Sequence, residues 1–274
     1  MDIDNKHLYL EIDCALHWGW RLNLVPFSKS RPSLRVLPPT TLIGALAFPI
    51  NRSTGFPETC DESSSAERLR QSLKYVGYRI DSPLIEYSDL SKVSFYYRGK
   101  ARTDAVAVGK TYSLFSPHSE NYGITICYII DESKVHSIFS KSRDVRKELF
   151  KAACSITRLG SRESIAIPLK VSFGEAKLLK VKSGETSFSF LKHMVTSVKG
   201  NYIVSQVFDW EQVKIGNYKN AKLDSLIVPY NTIRYASETV YAECAKAYVF
   251  YDVGGELVIG REYNEGTAGR KVAV

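Results

Sequence analysis

Hydrophobic residues alternate with polar ones from the start of the chain. Leu8, Leu10, Ile12 and Cys14 take every second position of His7–Leu16, which predicts a strand with one buried face. Leu34–Leu37 then leads into Pro38-Pro39-Thr40-Thr41-Leu42-Ile43-Gly44-Ala45-Leu46. Two prolines hold the entry extended and a Thr hydroxyl can cap exposed N–H groups, so a short helix is predicted over 40–48, ended by Pro49. Residues 51–63, rich in Ser, Thr, Gly and Pro, read as a loop. Ser64-x-x-Glu67 is a capping-box signature, and Leu69 and Leu73 give the helix after it an apolar face.

Val93–Tyr97 and Tyr122–Ile130 read as strands, the second apolar enough for a sheet centre. The long stretch between them is expected to be a loop carrying Arg98, Lys100, Arg102 and Lys110 among Tyr112 and Phe115. Cations for phosphates and rings for stacking suit an arm lying against nucleic acid; an ordinary basic surface loop fits the same composition. In Ser142–Leu159, the residues Val145, Leu149, Ala152, Ala153 and Ile156 share one face of a 3.6-residue period. Ser142 can cap that helix, Asp144 suits its positive end, and Gly160 can stop it. Ile165–Phe173 is a final strand. The order is βαββαβ, the ferredoxin-like or split-βαβ arrangement that also serves as an RNA-recognition module, with an extra helix after the first.

The remaining residues are β-rich, with a hairpin of Ala247–Tyr251 and Glu256–Ile259 and a loose tail from Glu262. The expected organisation is an α+β module over 1–175 and a smaller β-rich part over 176–274.

With 274 residues, 44% of them hydrophobic and 24% charged, the chain can bury a core without disulfide or metal staples. Its longest apolar run, Leu42–Ile50, is broken by Gly44 and Pro49 and is far short of a membrane span. Acidic residues stand at the N-terminus where an export signal would be basic, so a cytoplasmic protein is expected. Cys14, Cys60, Cys127, Cys154 and Cys244 lie too far apart for zinc spacing and read as small hydrophobes in a reducing compartment. No metal or cofactor is expected.

The net charge of +8 is unevenly placed. Cys14–Pro57 holds Arg21, Lys29, Arg31, Arg35 and Arg52 and no acidic residue. Leu90–Ser119 and Lys134–Ser172 are also strongly basic, so the rest of the chain is acidic overall. Three basic stretches suggest one surface that faces a polyanion.

Gly109-Lys110-Thr111 looks like the end of a phosphate-binding loop. Asp104 stands where the earlier glycine belongs, and no helix starts at Tyr112, so this match is rejected. Asn51-Arg52-Ser53 fits a glycosylation acceptor, a pattern common by chance. A metal-independent ribonuclease needs a general base and acid, and His17, beside Trp18, Trp20 and Arg21, is the candidate base. One His is not a catalytic constellation, and a ring beside the first strand is the plainer reading. A small-molecule enzyme on a ferredoxin-like scaffold is a third option, against which stands the lack of any acid–base or metal cluster in the sequence.

Two motifs rise above these. At Pro38–Leu46, helix N–H groups, the Thr40 and Thr41 hydroxyls and Arg31 or Arg35 could hold a phosphate. In Arg158-Leu159-Gly160-Ser161-Arg162-Glu163-Ser164, Arg158 and Arg162 could fork phosphate oxygens while Gly160 lets a nucleic-acid backbone approach. A capped helix and a helix-to-strand turn explain each motif equally well alone.

Together these motifs resemble the CRISPR-associated RAMP superfamily, and within it the Cas-five family, most closely its type I-A (archaeal Cascade) members. The resemblance covers about residues 7–173, although the glycine-rich loop common in RAMP proteins is thin here, with Gly160 alone. It implies a non-catalytic RNA-binding subunit of an antiviral interference complex. Such a subunit holds the 5′ handle of the guide RNA, caps the backbone-subunit filament and contacts the large subunit, meeting target DNA only indirectly. It also implies a long thumb hairpin, here about 93–130. The RNA-binding residues expected are Arg21, Arg31, Arg35, Thr40, Thr41, Arg98, Lys100, Arg102, Lys110, Tyr112, Arg158, Gly160, Ser161 and Arg162.

Overall fold

A computed structural model describes residues 7–17, 19–22, 33–60, 63–113, 123–139, 144–162, 164–216 and 221–262. The elements of the first part are β1 (His7–Leu16), α1 (Pro39–Thr54), β2 (Thr59–Cys60), β3 (Ser63–Ser64), α2 (Ala66–Ser72), β4 (Leu73–Ile80), β5 (Leu84–Tyr97), β6 (Lys100–Ser113), β7 (Gly123–Asp131), α3 (Glu132–Val135), α4 (Val145–Cys154) and β8 (Ala166–Glu175). Then follow β9 (Lys177–Leu179), β10 (Ser183–Thr186), β11 (Phe190–Leu191), β12 (Val195–Lys199), β13 (Tyr202–Phe208), β14 (Leu223–Asn231), β15 (Ala236–Ser237), β16 (Val240–Cys244), β17 (Tyr248–Val253) and β18 (Glu256–Arg261). The fold is mostly β-sheet with few helices. No helix among the described residues is long and apolar enough to cross a membrane.

The central sheet has the order β4-β7-β1-β8, and each neighbouring pair is antiparallel. Alternation sets its two faces. Leu10, Ile12 and Leu16 of β1 join Ile126 and Tyr128 of β7 and Val76 and Tyr78 of β4 in the core beneath α1 and α4. The opposite face carries Tyr9, Tyr75, Cys127 and Ile129, which pack with Phe188, Val249, Tyr251 and Val258. The β17–β18 hairpin thus lies over the side of the sheet away from the helices.

Several expected elements move. Val93–Tyr97 is not a strand of the central sheet but the distal end of β5, and the expected loop after it is β6 as far as Ser113. The two pair along their whole length, closed by Arg98 and Gly99 at φ 50° and 72°. A two-residue turn with both central φ values positive matches strand twist, which is why this arm is a ribbon and not a coil. Residues 114–122 of the expected thumb lie outside the described residues. The sheet's second strand is instead β4, whose first residue, Leu73, was expected on a helix. Seven of its eight residues are buried, so both of its faces are covered and alternation vanishes.

Proline 49 does not end α1. Burial of Ile50, together with the 2.5 Å bond from the Asn51 amide to the Ser65 hydroxyl, carries the helix on to Gly55 in the left-handed region. Glu67 makes no capping box; it pairs with Arg70 and accepts the Ile215 N–H. The helix expected over 142–159 covers only Val145–Cys154, capped by Asp144, which accepts from the Lys147 N–H at 3.0 Å. Gly160 therefore stops no helix. Cys14, Cys127 and Cys244 are buried as expected and Cys154 is exposed. The expected hairpin near the C-terminus is β17–β18, while the tail from residue 263 lies outside the described residues.

Ser189 joins the C-terminal part to β4. Its N–H donates to the Tyr78 carbonyl, its hydroxyl accepts from the Tyr78 N–H, and its carbonyl accepts the Tyr75 hydroxyl at 2.8 Å. Gly77 makes room for this approach, since a Cβ there would fall 2.6 Å from the Ser189 carbonyl oxygen. Ser189→Ala leaves the buried Tyr78 N–H without its acceptor, and urea unfolding should show a loss of about 1–3 kcal/mol.

Candidate nucleic-acid interface

A sheet that binds RNA in the manner of an RNA-recognition module presents aromatic rings on an open face. Here Tyr9 and Tyr75 of that face are packed against the C-terminal part. The rest of the face is acidic and polar. The Thr125 hydroxyl lies 2.9 Å from Asp13 and 2.5 Å from Asp81, and Arg79 is held between Asp81 and Glu256 and over the Phe188 ring. Burial first, then Glu256 and Asp13, push the Glu11 carboxyl up to about 7. Such a surface repels phosphate.

The positive side of the module lies by α1. Pro38 enters this helix in an extended conformation, and the Thr41 N–H donates to its carbonyl at 2.9 Å. No side-chain hydrogen bond caps the helix, so the expected Thr cap is not made; the two threonines line a cleft of about 450 Å³ instead. The opposite wall is Thr157, Arg158 and Gly160, more than a hundred residues away in sequence. Between the walls the Phe48 ring lies 5.6 Å from the Arg158 guanidinium and 5.7 Å from that of Arg52. Cation–π contact holds both guanidiniums near one exposed edge and leaves their N–H donors able to bond phosphate. Glu58 also lines the cleft.

Thr40, Thr41, Arg158 and Gly160 are therefore brought together as the two motifs suggested. The Arg21 N–H donates to the Ser164 hydroxyl at 2.9 Å, and the Ser161 and Ser164 hydroxyls are 3.0 Å apart, so these residues brace the turn behind the cleft. Arg162 is exposed on that turn. Gly160 has φ 97°, and a Cβ on it would fall 2.6 Å from Leu22; its own chain, rather than a ligand, accounts for the missing side chain.

Arg35 is elsewhere. It lines a second cleft, with the root of the arm and Tyr230. Arg98, Lys100 and Arg102 are exposed at the arm's far end beside Tyr96, which is 80% exposed. Lys110 and Tyr112 lie on β6 towards its root. Arg31 is outside the described residues. His17 is exposed past the end of β1, its N–H donating to the Ile165 carbonyl at 3.1 Å. Phe48 and Arg52 were not expected in the site. Their i, i+4 spacing with Gly44 on one helix face was the available signal.

The sequence also gave no sign of a cluster around His193. Its Nδ1 is 2.6 Å from Asp224, and its Nε2 is 2.8 Å from the Tyr248 hydroxyl and 3.4 Å from Glu211. Ligand atoms of His193, Asp209 and Glu211 lie close enough to share a cation. However, the bond to Glu211, with a further one to Asp224, outweighs burial and raises the imidazole to about 9. Raised in this way, the ring is mostly protonated at neutral pH and is the cation of an ion-pair knot.

Two proteins of Saccharolobus solfataricus align with nearly the whole chain. "CRISPR system aCascade subunit Cas5 1" is 26% identical over 261 residues, which span 92% of this chain and 99% of that protein. "CRISPR-associated protein Cas5 3" is 27% identical over 263 residues, with the same coverage of 92% and 99%. A crystal structure of a CRISPR protein from Archaeoglobus fulgidus shares the fold, with a TM-score of 0.62 and 17% identity over 93% of this chain and 99% of that one. No protein-family model matches the chain.

The His193 knot makes stability depend on pH. The folded imidazole titrates near 9 and the unfolded one near 6.5, so the stabilisation is complete below pH 6.5 and lost as pH rises through 9. Melting temperature should fall between pH 7 and 9.5, and the fall should be smaller in His193→Gln.

Proposed function

The chain is a CRISPR-associated protein of the Cas5 family, and from that premise we propose that it is a non-catalytic subunit of a Cascade interference complex, holding the 5′ handle of the guide RNA. In this reading it caps the backbone filament, contacts the backbone and large subunits, and acts in antiviral defence. The observation that carries the RNA reading is the cleft at α1, where Thr40 and Thr41 face Arg158 across Phe48. Hydroxyls, a helix start and guanidiniums together suit a ribose-phosphate strand. The basic tip of the β5–β6 arm supplies a second contact of the same chemistry, the thumb of this reading.

We also read the βαββαβ part as ferredoxin-like, with β1, β4, β7 and β8 as its four strands and α1 and α4 as its two helices. The order β4-β7-β1-β8 supports this. The covered, acidic sheet face argues that RNA is held at the helix-entry side and the arm rather than on the sheet.

Binding without cleavage is part of the proposal. Against an electrophoretic or fluorescence assay with a repeat-derived 5′ RNA tag, Arg158→Ala should weaken binding about tenfold. It should also lower the slope of log K against log salt by about 0.7 for each phosphate that the side chain no longer neutralises. Incubation of the protein with full repeat RNA in EDTA should leave the RNA intact. Specific cutting that His17→Ala abolishes would mean a ribonuclease instead.

A further inference from the structure

Resting on the RNA-binding reading, we propose that the second cleft, at the root of the arm, is a subsite that takes one unpaired nucleobase of the bound strand. The cleft has a volume of about 270 Å³. That is below the roughly 300 Å³ at which sites for drug-sized ligands begin, so it suits one ring system and not a whole nucleotide. Leu84 and Ile203 make an apolar floor, and Arg35, Tyr230, Thr232 and Tyr235 supply the planar and polar groups. Arg35 is the charged residue of the lining. A base carried on a phosphate chain meets these demands: two flat faces for a ring and a guanidinium, and a polar edge for hydroxyls.

The pocket is a built one. The Tyr230 hydroxyl accepts the Leu84 N–H at 2.8 Å, which fixes the arm root against β14 and leaves the phenolic proton to donate. Tyr235 is half exposed and has φ 53°, a left-handed conformation that a tyrosine rarely adopts. It is held there by the turn before it. The Asn231 side-chain oxygen accepts the Ile233 and Arg234 N–H groups, and its amide donates to Glu238, which also accepts from Asn201. Strain maintained by such a clamp places a residue for contact. The position also fits, because Arg35 shortly precedes the Pro38–Thr41 helix entry, so one short segment joins this pocket to the phosphate cleft.

The test uses the full chain and a series of repeat-derived 5′ RNA tags, each with a single 2-aminopurine at a successive position. One position should be quenched on binding. Tyr235→Ala should abolish that quenching and weaken binding about tenfold, the size of one base–aromatic stack. Tyr235→Phe should retain both, and Thr232→Val should reduce the preference among bases at that position. If Tyr235→Ala, folded by circular dichroism, binds and quenches as the unaltered chain does while Arg158→Ala still weakens binding, the pocket holds no base and only this inference falls. It falls equally if Tyr235→Ala keeps RNA binding but loses association with other complex subunits, since the pocket would then be a protein contact. If the unaltered chain binds none of the RNAs, the RNA-binding reading itself fails and takes this inference with it.

Discussion

The closing of one sheet face decides what this molecule can present to a ligand. Tyr9, Tyr75, Cys127 and Ile129 would form an apolar platform if β17–β18 and Phe188 did not pack on them. The contact depends on close backbone approach: Gly77 has no side chain, and Ser189 bonds to Tyr78 and Tyr75 with three of its polar atoms. Every one of these groups is buried and mutually satisfied, so an opening at this seam would leave several polar groups unpaired at once. Rings that a sheet of this kind could otherwise offer to bases are thereby used for stability.

With that face closed and its remainder acidic, cations collect on the other side. The guanidiniums of Arg52 and Arg158 stay in water beside Phe48 rather than being buried. This avoids the desolvation cost of an enclosed charge while keeping the donors in place. Contacts of this type are weakened by salt and gain from being numerous. The arm extends the surface: each of its strands has 14 residues, a reach of about 45 Å at the usual rise per residue. The Tyr230 hydroxyl at its root ties the ribbon to the body.

The His193 knot serves the C-terminal part in the same way that Ser189 serves the seam. It joins the turn after β11 to the Asp209–Glu211 turn, β14 and β17, four segments that share no periodic signal. Because its cation is an imidazole rather than a guanidinium, the knot loses its charge, and with it its ion pairs, as pH rises through about 9.

Taken alone, the sequence determined whatever depends on local burial. β1 alternates, β7 is a nearly continuous apolar run, the α4 face repeats at helical spacing, and β17–β18 turns on Gly254-Gly255, so each was legible from periodicity or turn chemistry. The helix entry at Pro38–Thr41 and the segregation of charge were legible too, and with them Thr40, Thr41 and Arg158 as candidates. Only the tertiary structure decided that β4 is a strand, because a segment covered on both faces carries no alternation. It also decided that β5 and β6 pair, because which strand a segment meets is a long-range choice that no local pattern records. The same holds for Arg35, which stands near the helix entry in sequence and yet lines the arm root, and for Phe48, which meets Arg158 only once α1 packs on α4. Periodicity records how each residue is buried by its surroundings; which distant segments supply those surroundings is settled by long-range packing, and the clefts exist only there.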